Sequence, residues 1–244
     1  MNNSNTIIVV STYSELGKNL DWIQKFIKKG YHVCLYDHKK SNLNPYYVPE
    51  NKGREASVYL RYIIDYYDSL QEYTIFIQDD DKSWHHKGSI VDIIIEKEKE
   101  NNSKTKKIKY KNLNNRCLSL IYPNDLFPMM KIYFRKYLSP YIGDMSKYGD
   151  WTSGYPCCSQ FIVHKEYIRK YPKEMYEKMY RYMMDGRHDE KAKGHMFEWT
   201  LHLLYDNPFT IHNMSEKEFF EIMEKRKEKI EKNQFVYFDD CRVI

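Results

Sequence analysis

The sequence predicts an α/β fold with a mostly parallel central sheet flanked by helices, and three observations carry that expectation. Two short runs, residues 6–10 (TIIVV) and 73–77 (YTIFI), are continuously apolar and rich in β-branched or aromatic residues, the composition of strands buried on both faces. A third run, 31–36 (YHVCLY), lies between them, and each gap holds a segment with helical periodicity. Strand, helix, strand, helix, strand is the order that builds a parallel sheet.

Taken in order, the first strand opens into the polar loop 11–19 (STYSELGKN). Leu20, Trp22, Ile23, Phe26 and Ile27 then mark a helix, which Gly30 terminates after Lys28 and Lys29. The second strand ends at Asp37, where an acid either accepts hydrogen bonds from a ribose or base or simply starts a turn. Pro45 and Pro49 make the next connection irregular. Gly53 supplies a tight turn ahead of a helix whose apolar face is Ala56, Tyr59, Leu60, Ile63, Ile64 and Tyr67. Arg54 sits in its first turn, where a cation is unfavourable unless an anion lies beside it. That makes Arg54 a candidate for a ligand phosphate, with Lys52 adding positive potential; an ion pair with Glu55 or Asp21 is the alternative.

Beyond the third strand, residues 89–95 (SIVDIII) are apolar and 96–115 form a charged, low-complexity surface stretch, a solvated helix end and loop. Residues 116–122 (RCLSLIY) read as a strand, 149–160 (GDWTSGYPCCSQ) as a substrate-shaping loop, 161–164 (FIVH) as a strand and 165–171 as helical. Met175, Tyr176, Met179, Tyr180 and Met183 make an amphipathic helix facing the core. Another helix follows over 194–206. Ser215 and Glu218 form a capping box for a peripheral helix, and the tail to 244 adds an edge strand or covers a pocket. The whole, 1–244, is expected to be one domain.

Composition narrows the function. With 244 residues and 42% hydrophobic content the chain can build a sizeable core. Its 39 basic residues are interleaved with 34 acidic ones for a net charge of +5, which argues against a general nucleic-acid binder. The polar MNNSN start predicts no signal peptide, and no segment approaches the ~20 apolar residues of a membrane helix. Five cysteines without zinc-ligand spacing, among them the adjacent Cys157 and Cys158, point to thiols in a reducing, cytoplasmic setting. The Lys-, Asn-, Ile- and Tyr-rich usage suggests an AT-rich genome, a virus in its host cell included.

The chemistry concentrates where the third strand meets Asp79, Asp80 and Asp81. Three adjacent acids repel one another, and solvent, a basic neighbour or a divalent cation relieves that cost. Hard oxygens suit magnesium or manganese, whose shell is commonly completed by substrate phosphates; a solvated acidic turn is the alternative. Trp84, His85 and His86 follow, available as a metal ligand or general acid or as ordinary loop residues. On the late helix His195, Glu198 and His202 recur at i, i+3 and i+7, one polar stripe among Met196, Phe197, Trp199, Leu201, Leu203 and Leu204. A buried polar stripe must find partners, either in an internal network or in a site, where carboxylate and imidazole serve as bases and ligands.

This order of strands, Gly–Arg helix start and acidic strand end resembles the GT-A glycosyltransferase fold. Residues 51–81 (NKGREASVYLRYIIDYYDSLQEYTIFIQDDD) look like the family-two pattern of a glycine, a helix and an apolar strand running into its acidic motif. A closer resemblance, from Val9 to about Asp206, is to domain-of-unknown-function family 3431, through VVSTYSELGKNLDWI, FIQDDDKSWHHKGSIVDII, PCCSQFIVHKEYI and GHMFEWTLHLLY. The chain departs from that family in carrying three aspartates where members often have histidine or glycine. The GT-A resemblance implies Mn2+ or Mg2+ and a nucleotide-sugar donor, a UDP-sugar foremost, with a glycan or protein as acceptor. It further implies that Asp79 and Asp81 hold the metal and nucleotide; His202, from the polar stripe of the late helix, is a candidate third ligand. By the same resemblance Asp37 would touch the nucleoside and the loop beginning Ser11, Thr12 and Tyr13 line the base, while Arg54, Asp80, Trp84 and His85 are further candidates for binding the donor. Glu198, with Asp150 behind it, is the expected base toward the acceptor, and Trp84, Trp151 and Tyr155 are candidates to stack on sugars. A metal-dependent phosphohydrolase or nucleotidyltransferase, or a non-catalytic nucleotide or glycan binder, is the rival expectation.

Overall fold

A computed structural model of the chain describes residues 5–13, 19–38, 45–83, 86–103, 108–114, 117–118, 126–144, 155–156, 159–186 and 190–205. Its centre is one mixed five-stranded sheet. Strand β1 (Thr6–Thr12) pairs in parallel with β2 (His32–Asp37) on one side and β3 (Tyr73–Gln78) on the other. Two further strands of that sheet, β4 (Tyr110–Asn112) and β7 (Phe161–His164), lie beyond β3 in the order β2-β1-β3-β7-β4, and β7 is antiparallel to both its neighbours. Between them in sequence come β5 (Cys117–Leu118) and β6 (Tyr155–Pro156), a two-stranded ribbon of their own.

The expected parallel core is therefore present, while FIVH enters as an antiparallel strand. Two sequence readings change. The charged stretch 96–115 opens with the expected helix end, α3 (Ile90–Ser103), but Tyr110–Asn112 pairs as β4 where a loop was expected. Of 116–122, Cys117–Leu118 is strand, and it joins the ribbon rather than the main sheet. The Cys157–Cys158 pair and the expected helix and tail at 215–244 lie outside the described residues.

Alternation along the strands sorts side chains onto two faces. Ile8, Val10, Tyr73, Ile75, Ile77 and Ile162 point to one face, which α1 (Gln24–Lys28) covers with Phe26 and α3 covers with Ile90, Val91 and Ile94. Val9, Cys34, Tyr36, Phe76, Phe161 and Val163 point to the other. There α2 (Glu55–Tyr66), α4 (Leu126–Tyr133), a π-helical turn at Phe134–Leu138, α5 (Ser139–Ile142), α6 (Lys165–Arg169), α7 (Lys173–Met184) and α8 (Glu190–Tyr205) assemble the larger core. Helix α8 begins at Glu190, earlier than its apolar pattern. Among the described residues no helix is long and apolar enough to cross a membrane.

Candidate functional site

Register places the candidate residues. Thr12 sits opposite Asp37, and Ser11 opposite Gln78, so the carboxyl ends of β1, β2 and β3 finish level and Asp79 emerges beside Thr12. In open α/β sheets this rim is where ligands bind. Asp79 is buried, 8% exposed, and its Oδ2 accepts hydrogen bonds from Thr12 Oγ1 at 3.1 Å and from the Tyr13 amide at 3.4 Å. A carboxylate held by a hydroxyl and an amide has a fixed orientation, and here those donors come from two residues proposed to line a ligand.

Asp80 and Asp81 are half-buried and play different parts. Asp81 accepts from Ser89 Oγ through Oδ1, its carbonyl accepts from the Ile90 amide at 2.8 Å, and Ser89 Oγ accepts from the Val91 amide at 3.2 Å. Asp81 thus organises the start of α3, whose first N–H groups need such acceptors. The triplet is not a uniform acidic turn: one carboxylate belongs to the sheet rim and another to a helix cap.

Asp37 is half-buried, and its backbone bonds to the 45–48 segment through Tyr46 O and the Val48 amide. Next to it His38 Nδ1 lies 3.1 Å from Val48 O and 3.0 Å from Glu50 O, and the ring meets Tyr13 edge-on at 5.9 Å. Two carbonyl partners require Nδ1 to carry the hydrogen. Burial lowers the His38 pKa, against the pull of those carbonyls and the Asp37 charge, so the neutral ring is favoured. Nothing in the pattern of residues singles out His38; its contact with Tyr13 does so.

Helix α2 starts from a tight turn. Gly53 has φ +69° and Arg54 φ +53°, a left-handed value that costs free energy in a residue with a Cβ. A side chain at Gly53 would press on Met183, and one at Gly194 would lie 3.3 Å from the Gly53 carbonyl. Helix α8 therefore passes directly against this turn, and Glu198, one helical turn beyond Gly194, is carried toward the start of α2. Arg54 is exposed, and its carbonyl accepts from Ser57. Glu55 is occupied elsewhere, its Oε1 accepting from Gln78 Nε2 at 3.1 Å and Ser159 Oγ at 2.8 Å. Lys52 pairs with Glu50.

Tyr59 ties these elements together. It is fully buried, and its hydroxyl has no hydrogen-bond partner among the described residues. Burial raises its pKa well above 10, and Glu55, Asp79 and Glu198 each push it the same way. The charges of three acids, on α2, at the β3 rim and on α8, thus reach one phenol, which stays protonated. Glu198 and Asp79 thus act on the same phenol, together with Glu55, which the sequence offered only as a partner for Arg54. His195 of the same stripe stacks on Trp199, centroids 5.1 Å apart and planes at 9°.

Gln160 braces the rim from the far side. Its Oε1 accepts from the Gln78 amide at 3.2 Å, its Nε2 donates to Asn114 Oδ1 at 3.1 Å, and its carbonyl accepts from the Leu113 amide. Fully buried, it locks the end of β3 to β7 and the segment after β4. Its available signal was the Cys-Cys-x-Gln-Phe block.

A family model described as a protein of unknown function, DUF3431, matches residues 7–220. The chain belongs to the DUF3431 family. Neither the curated proteins nor the solved structures contain a match to it. The DUF3431 match spans every rim residue above. Of the expected site, Trp84, His85 and Asp150 lie outside the described residues, as do the side chain of His202 and the stacking candidate Trp151. Among the described residues no three His, Cys, Asp or Glu side chains converge as a ready-made metal site. A magnesium or manganese ion on a diphosphate needs only one or two carboxylates, with water and phosphate oxygens completing the shell. Asp79, and the second oxygen of Asp81, are hard donors that fit that demand.

Proposed function

We propose that this protein is a GT-A-type glycosyltransferase, moving a sugar from a nucleotide-sugar to a hydroxyl acceptor. The observation that carries the reading is the sheet rim, where β1, β2 and β3 end level and Thr12 and the Tyr13 amide fix the buried carboxylate of Asp79. A transferase of this kind needs an anionic anchor for the donor's diphosphate and, across from it, a base for the acceptor. The parallel strand ends at Thr12, Asp37 and Asp79 support the first requirement and Glu198 supports the second.

In this reading Asp37, Tyr13 and His38 hold the nucleoside, a UDP moiety foremost, and Asp79 with Asp81 would hold Mn2+ or Mg2+. When bound, that ion neutralises charge growing on the leaving diphosphate. Glu198 accepts the proton of the acceptor hydroxyl as the acceptor oxygen bonds to the anomeric carbon. The bond from that carbon to the diphosphate breaks, and the nucleoside diphosphate departs with the electron pair. Thr12 and Tyr13 keep Asp79 oriented.

Asp79→Asn is the decisive variant, since changing Asp81 would also disturb the α3 cap. Titration calorimetry with manganese and UDP should show binding to the wild type and at least about a tenfold loss in Asp79→Asn, a charge-assisted contact being worth over 1.4 kcal/mol. Circular dichroism should remain native. Glu198→Gln should keep that binding and lose roughly 10²–10⁴-fold in the release of sugar and nucleoside diphosphate from nucleotide-sugars. Undiminished manganese and UDP binding in Asp79→Asn would show the anchor is misassigned. Release of phosphate or pyrophosphate would point to hydrolase or nucleotidyl chemistry, and ligand stabilisation without turnover to a binding module.

A further inference from the structure

Away from the sheet rim, the π-helical turn and helix α7 frame a cleft of about 400 Å³, whose described lining is Lys136, Tyr137, Lys178, Arg181, Tyr182 and Asp185. An annex of about 160 Å³ continues it past Met129, Ile132 and Tyr133. The volume lies in the range of small-molecule sites. Three cations from two elements face this space against one carboxylate. Lys178 also pairs with Glu174 at 2.8 Å, an exposed contact that a ligand can outcompete.

Several features make this more than a basic surface. A π-helical turn is an unusual distortion that recurs at functional sites, and this one supplies both Lys136 and Tyr137 to the cleft. Residues 126–142, which contain it, carry Lys131, Arg135 and Lys136 and no acid. The Tyr137 and Tyr182 rings stand 5.2 Å apart at 44°, forming one wall, with Lys136 Nζ 5.3 Å from the Tyr137 centroid. Behind that wall the fully buried Lys193 donates to the Met183 and Asp185 carbonyls and lies 5.9 Å from the Tyr182 ring, adding positive potential from below. At the mouth of the annex Ile132 is 66% exposed, one of two exposed large hydrophobics among the described residues.

We propose that this cleft is a second ligand site, which takes a phosphomonoester borne on a ring-shaped or apolar body. The guanidinium fork of Arg181 and the ammonium of Lys136 grip the dianion, the tyrosine wall packs the adjoining ring, and the annex receives the apolar end. The phosphate is carried by a soluble metabolite or by a lipid headgroup. The site is independent of the glycosyltransferase reading.

Two probes separate the sources: phenyl phosphate followed by titration calorimetry, and sedimentation with phosphatidylcholine vesicles containing a minority of phosphatidic acid. The variants are Arg181→Gln with Lys136→Gln, both exposed and safe for folding, and Lys28→Gln as a cation control on the opposite face. Saturable binding of either probe, weakened about tenfold or more in the double variant and unchanged in the control, supports the site; phenyl phosphate binding marks a soluble ligand, vesicle binding alone a headgroup. Equal affinity in the double variant and the control, or no saturable binding of either probe, overturns it.

Discussion

The two faces of the sheet are built from different chemistry. Toward α1 and α3 the strands offer mostly aliphatic side chains, Ile8, Val10, Ile75, Ile77 and Ile162, beside Tyr73, whose hydroxyl accepts from Asn101. Toward α2, α7 and α8 they meet Tyr59, Tyr62, Phe76, Phe161, Tyr176, Tyr205 and a row of methionines. Each phenol there carries a hydroxyl that must be accommodated. Tyr171 donates to Leu204 O, Tyr176 to Ile168 O and Tyr67 to Tyr171 O, so these rings also tether one helix to another. Tyr36, Tyr59 and Tyr133 are exceptions, their hydroxyls buried without a partner among the described residues. A mostly aliphatic face holds a sheet in place; an aromatic face can also hold a polar group at a chosen point, and Tyr59 lies within reach of three acidic charges.

The contrast is broken most forcefully at neighbouring positions of β3. Phe76 packs among Tyr59, Tyr62 and Phe161, with centroids 4.8, 5.7 and 4.8 Å away, and Phe76→Ala should cost about 3–5 kcal/mol in urea unfolding. Because it removes the ring under Tyr59, it should also weaken any ligand binding at the rim. A loss below about 1 kcal/mol would mean the ring cluster relaxes into the space and does not act as a rigid platform.

Ile75, one residue away and facing α3, is the counterpart. Ile75→Val removes one methylene from a fully buried site and should cost about 0.5–1.5 kcal/mol, with ligand affinity unchanged. A change of affinity as large as that from Phe76→Ala would show that both faces transmit to the rim equally, and the distinction between them would fail.

These faces also explain what could be read from sequence. Ile-rich strands announce themselves, since periodicity and β-branching report burial directly, and β1, β2 and β3 were legible on that basis along with the acids at their ends. The partner order was not: FIVH has the same composition whether parallel or antiparallel, because direction is set by the path of the chain between Asn114 and Phe161. Residues 110–112 were hidden because lysine and asparagine carry a charge signal that outweighs a three-residue strand at the sheet edge. In the site, Asp79 and Glu198 were visible as acids in apolar company. Glu55, Gln160 and His38 were not, since their roles come from contacts with residues 23, 82 and about 10 positions away. Tyr59 was legible as a core residue, and only the fold shows which groups surround its hydroxyl.

The finest test compares two hydroxyls within the aromatic face. Tyr176 donates to Ile168 O at 2.8 Å, so Tyr176→Phe should destabilise by about 0.5–1.5 kcal/mol, the net worth of a hydrogen bond whose acceptor is left behind. Tyr59→Phe removes a hydroxyl that satisfies nothing and leaves no orphan, so thermal unfolding of the ligand-free protein should shift by roughly zero, or slightly upward. If the Tyr59 hydroxyl instead serves a ligand brought in beside Asp79 and Glu198, the variant should lose part of the stabilisation that manganese and UDP confer on the wild type. Equal losses in the two ligand-free variants would mean that Tyr59 is already bonded in the folded chain, and that the acidic charges acting on it are ordinary core chemistry.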